Sequence, residues 1–112
     1  MEIKNVISAL SALAQESRLA VFRLLVQTGP QGMVASKISE HLGLAPSSLS
    51  FHLKELTHAG LISPQQDGRF VIYSANFATM NELLAFLTEN CCNGTPCATV
   101  CTPECSTEDK TA

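Results

Sequence analysis

The chain has no tryptophan, one tyrosine and five phenylalanines, so aromatic side chains make up only 5% of its 112 residues. Leu, Ile, Val and Ala must therefore build the core. No apolar run reaches the roughly 18 residues that a membrane-spanning helix needs. The opening "MEIKNVISAL" lacks the basic start, long apolar stretch and cleavage site of a secretory signal. These absences predict a soluble, cytoplasmic protein with no membrane partner. Cysteine is missing from the first 90 residues, which leaves any stapling, metal ligation or thiol chemistry to the end of the chain. Charge of one sign is missing as well. The net charge is −3, and residues 1–100 carry six basic and seven acidic side chains, so the body is close to neutral. Neutrality neither points to nucleic acid nor excludes it, because the distribution of charge matters more than its sum.

What is present is a 46% hydrophobic chain of a length that suits one compact domain. A domain this small buries limited surface, which makes a dimer a reasonable expectation. Ile3, Val6, Ile7, Leu10, Leu13 and Ala14 recur at helical spacing, so residues 2–13 read as an amphipathic helix. "ESRLAVFRLLVQTG" reads as a second helix, apolar around much of its circumference and so central, ended by Gly29 and Pro30. "MVASKISEHLG" is a short third helix with Val34, Ile38 and Leu42 at four-residue steps and Gly43 as its stop. "APSSLSFHLKELTHAG" is the fourth, with Pro46 suited to a first helical position, Leu49, Leu53 and Leu56 facing inward, and Gly60 as the terminal signal. The period then shortens. "LISPQQ" and "RFVIYSA" flank Asp67-Gly68, a two-residue hairpin signal. Asn76 can cap a fifth helix, "FATMNELLAFLTEN", with a stripe of Met80, Leu83, Leu84 and Leu87.

The predicted fold is therefore mainly α with a β-hairpin, in the order ααααββα. Two short helices joined by a tight glycine turn and followed by a hairpin make a winged helix-turn-helix. The expected division is residues 1–92 for DNA binding and dimerisation and residues 93–112 for a cysteine-rich tail. On the fourth helix the outward set includes Ser47, Ser48, Ser50, Phe51, His52 and Lys54. Serine and histidine can hydrogen-bond base edges in a major groove, and Lys54 can neutralise a phosphate. Arg69 beside the hairpin turn could reach a phosphate or the minor groove, and Phe51 could touch a thymine methyl. Each residue also has a plainer reading: serines at a helix start often only cap it, a half-buried histidine can pin a helix, and a hairpin arginine is often just solvated.

Three motifs in order carry a family resemblance. "ALAQESRLAVFRLL", "ISEHLGLAPSSLSFHLKELTHAGLI" and "GRFVIYS" resemble, respectively, the start, the helix-turn-helix and the second wing strand of the ArsR/SmtB family of metal-sensing repressors. The resemblance spans residues 5–92. It implies a homodimer built from the first and last helices and a two-fold double-stranded operator read by one recognition helix in each of two successive major grooves. Two positions depart from the family pattern: Phe51 stands where polar residues are common, and Ala45 replaces a capping serine.

The family also implies several alternative effector sites. A cysteine pair in the helix before the recognition helix is absent, since "VASKISEHL" has none, and "FATMNELLAFLTEN" has no histidine to hold zinc across a dimer. Cys91-Cys92 followed by Cys97 resembles the arrangement in arsenic-responsive members. Soft thiolates select soft, thiophilic ions, and trivalent arsenic takes three sulfurs because a lone pair fills its fourth direction. The expected effector is As(III) or Sb(III) at Cys91, Cys92 and Cys97, with no obligatory cofactor. Cys101 or Cys105 could replace Cys97 or complete a four-sulfur site suited to zinc or cadmium. A thiol redox sensor is the competing reading of the same residues. An enzyme is disfavoured: there is no Cys-x-x-Cys, and no Arg or His lies near the thiols to bind an oxyanion.

Overall fold

The computed structural model describes residues 1–89. The elements are α1 (Ile3–Leu13), α2 (Glu16–Thr28), β1 (Met33–Val34), α3 (Ala35–Leu42), α4 (Pro46–His58), β2 (Ile62–Asp67), β3 (Phe70–Ala75) and α5 (Phe77–Leu87). This is a winged helix-turn-helix, as the motif order predicts, with one strand more than expected. Met33 and Val34 do not open the third helix. They pair with Tyr73 and Ile72, giving a three-stranded antiparallel sheet in the order β1-β3-β2. The four-residue step from Val34 to Ile38 suggested helix, but Gly32 places the chain against β3. Its φ is +73°, and a Cβ there would lie 2.5 Å from the Tyr73 carbonyl oxygen, so only glycine permits that approach.

The hairpin is also shifted by one residue. Asp67 pairs with Phe70, so the two loop residues are Gly68 and Arg69 rather than Asp67 and Gly68. Gln66 Nε2 donates to the Gly68 carbonyl at 2.9 Å across the tip.

The core gathers under α2 and α4. Val21 and Leu25 of α2, Ile38 of α3, Leu49 and Leu56 of α4, and Leu61 before β2 are its largest fully buried side chains. Helix α2 is central on one face only, for Leu19 and Arg23 lie at the surface. Its start is held twice: the Gln15 side chain accepts the Arg18 backbone N–H at 2.9 Å, and Arg18 Nε donates to the Ala12 carbonyl at 2.7 Å, tying α2 to the end of α1. Helix α1 commits only part of its apolar stripe to the core. Its buried residues are Val6, Ala9 and Ala12, while Ile3, Ile7 and Leu10 point away from the core. The predicted stripe is therefore divided: Val6 is buried and Leu13 packs against the core, while Ile3, Ile7 and Leu10 face outward. At α5, Asn76 caps as expected, its side chain accepting the Thr79 N–H at 3.2 Å. Leu83 is buried, whereas Leu84 and Leu87 are exposed. No helix among the described residues is long and apolar enough to cross a membrane.

Candidate nucleic-acid interface

The recognition unit begins with the turn between α3 and α4. Gly43 takes the left-handed conformation (φ 66°) that closes α3, and its N–H donates to the Ser39 carbonyl at 2.9 Å. Ser39 Oγ donates to the Leu44 carbonyl, so one serine holds both ends of the turn. Ala45 then precedes Pro46, which occupies the first turn of α4, where a missing N–H costs nothing. Leu49, Leu53 and Leu56 anchor α4 in the core. Ser47, Ser48, Ser50, Phe51 and Lys54 are all exposed, so the structure places these four predicted polar contacts together on the outer face of one rigid helix.

The first turn of α4 adds donors that side-chain reasoning overlooked. No side chain among the described residues caps it. The Ser47 and Ser48 backbone N–H groups precede the first intrahelical bond, which Leu49 makes to the Ala45 carbonyl at 2.9 Å. Free N–H groups at a helix start suit a phosphate oxygen, with the helix dipole adding to the attraction. The departure at Ala45 was the available signal: a chain with no capping side chain leaves these donors to another partner. Beside them, Ala35, Ser36, Ser39, Glu40, Pro46 and Ser50 help line an open cleft of about 380 Å³ between α3 and α4.

His52 is half-buried, as the plainer reading of a histidine that packs on the helix expects. Its ring packs edge-on against Phe51, with centroids 5.8 Å apart and planes at 63°. Its Nδ1 is buried without a hydrogen-bond partner among the described residues, so this nitrogen does not pin the ring by hydrogen bonding. Arg69 is exposed at the tip of the wing, on a different element from the serine cluster.

Elsewhere, large apolar side chains are exposed on two helices. Ile3 (65% exposed) and Ile7 (57%) are on α1; Leu84 (45%) and Leu87 (55%) are on α5. Among the described residues, no group of three His, Cys, Asp or Glu side chains could hold a metal ion. Cys91, Cys92 and Cys97, and the expected domain boundary after residue 92, lie outside the described residues.

Known proteins match this arrangement. A family model described as a helix-turn-helix domain matches residues 13–65. The HTH-type transcriptional regulator YgaV of Escherichia coli is 31% identical over 78 residues, covering 70% of this chain and 77% of that protein. A Halobacterium salinarum protein named as an arsenical resistance operon repressor, ArsR, is 34% identical over 67 residues, covering 60% of this chain and 51% of its own length. Among solved structures, an ArsR-like transcriptional regulator from Rhodococcus superposes with a TM-score of 0.68 at 26% identity, over 76% of this chain and 77% of that one. These relatives are named as transcriptional regulators, and the chain belongs to the family of HTH-type transcriptional regulators that includes YgaV.

Proposed function

We propose that the chain is a repressor that holds operator DNA as a homodimer and lets it go when trivalent arsenic or antimony binds Cys91, Cys92 and Cys97. The DNA half of this reading rests on one observation: Ser47, Ser48, Ser50 and Lys54 line the outer face of a helix whose inner face is locked by three buried leucines. A B-DNA major groove is wide enough to admit such a helix. Arg69 on the wing supplies a further cation for phosphate or minor groove. Dimerisation is supported by the outward apolar residues of α1 and α5, which a single copy leaves in water. With two copies related by a two-fold axis, the same patch serves on both sides.

The effector half rests on donor chemistry. All five thiols fall between residues 91 and 105, and the first pair follows the end of α5 by four and five residues in sequence. Thiolates suit As(III) or Sb(III), and ion capture next to a dimer helix is well placed to disturb DNA binding. Residues 1–92 are thus proposed as the DNA-binding and dimerisation unit, and residues 93–112 as the cysteine-rich tail.

The test uses the full, reduced chain and a duplex selected by the protein from a randomised synthetic library. Arsenite should weaken binding in an anisotropy titration by about 5- to 150-fold, the range of a 1–3 kcal/mol coupling. Cys91→Ser or Cys92→Ser should abolish the response. Unchanged affinity with arsenite sinks the metalloid reading. Release by peroxide alone, reversed by a thiol reductant, would favour the redox reading instead.

A further inference from the structure

We infer that Phe51 is a specificity-determining residue of the recognition helix, reading the C5-methyl group of a thymine in the operator's major groove. The inference rests on the proposal above that α4 enters that groove. Helical spacing of about 100° per residue puts Phe51 on the far side of α4 from the Leu49, Leu53 and Leu56 stripe, in the middle of the outer face. The side chain is 56% exposed, and Ser47, Ser48, Ser50 and Lys54 surround it. A lone exposed hydrophobic residue usually needs no explanation. This one differs because it stands at the centre of the polar outer face, with the half-buried His52 ring edge to face beside it at 5.8 Å. A ring packed on one side loses less freedom on binding than a free one.

The chemistry of the ring then selects the partner. Phenylalanine has no hydrogen-bonding group, so it cannot distinguish the donors and acceptors on base edges. The one apolar feature that an unmodified major groove presents is the thymine methyl. A phenyl ring at the centre of a hydrogen-bonding face therefore adds a reading that its serine neighbours cannot make. It would reject cytosine at the same position, and equally uracil, which differs from thymine only in lacking that methyl group.

The closing experiment exploits that difference. The full reduced chain selects a duplex from a randomised synthetic library, in which thymine is the only source of a C5-methyl group. Each thymine in the selected duplex is then replaced, one at a time, by deoxyuridine, and affinity is read by anisotropy. At one thymine per half-site, loss of the methyl should weaken wild-type binding about four-fold, the value of one buried carbon group. F51A should bind the thymine and uracil duplexes equally. F51L, which keeps an apolar side chain and a good helix former, should retain part of the discrimination. Enrichment of a duplex with no uracil-sensitive thymine overturns the role of Phe51 and leaves the DNA-reading proposal standing, as does discrimination that survives in F51A. Failure to enrich any duplex overturns the DNA-reading proposal itself, and the inference with it.

Discussion

Helices α1 and α4 each bury three residues, yet they do opposite things with the rest. Helix α4 puts its large leucines inside and its serines and lysine outside. Helix α1 buries Val6 and two alanines, and leaves Ile3, Ile7 and Leu10 outside. A helix that keeps its small residues for its own core and turns its large ones to water has a second apolar surface to meet. A helix with the reverse arrangement has a mainly polar one, here with Phe51 at its centre. The two outward faces thus suit chemically different partners, and those proposed above are another copy of the chain for α1 and a phosphate-bearing duplex for α4. The first is non-directional burial, the second a set of placed donors.

The contrast can be broken at three points, with effects of decreasing size. Ile7→Glu should put an unpaired carboxylate into the proposed interface twice, once per copy. Burying such a charge costs several kcal/mol. The expected outcome is a chain that sediments as a single copy and loses at least a hundred-fold in DNA affinity while keeping its helical circular dichroism. A variant that remains dimeric would show that α1 is not the contact face. Leu53→Ala strikes the anchor of α4 instead. It should lower folding stability by about 2–5 kcal/mol in urea denaturation, and a loss below about 1 kcal/mol would contradict the burial described here. Lys54→Ala should leave folding unchanged, weaken DNA binding across all sequences alike, and reduce the slope of log affinity against log salt by about one per copy. A slope that does not move would place Lys54 away from phosphate.

Much of this was legible in the sequence because punctuation and period agreed. Gly43, Pro46 and Gly60 bracket α3 and α4 where the structure does, and the Leu49, Leu53, Leu56 stripe is buried as its spacing requires. The outward face of α1 was legible only through the family resemblance, because periodicity reports that one side is apolar and says nothing about whether that side meets the chain's own core or another surface. Ala9 and Ala12, the true inner residues, are small enough to go unnoticed in a stripe built on size. The two-residue strand β1 was too short to show a period of two, and its cue was Gly32, whose backbone geometry becomes evident only beside Tyr73. At the site, the exposed serines, Phe51 and Lys54 could be placed from helical spacing alone, whereas the burial of His52 Nδ1 and the free backbone donors of the first turn depend on three-dimensional surroundings.

The joint between the wing and the last helix has a mechanical consequence. Strand β3 ends at Ala75 and α5 starts at Phe77, so Asn76 is the whole connection. That residue is clamped from both sides: its N–H donates to the Leu61 carbonyl at 2.8 Å, and its side chain holds the Thr79 N–H. Strand and helix therefore meet with no flexible linker between them, and the joint is tied through Leu61 to the segment just past the end of α4.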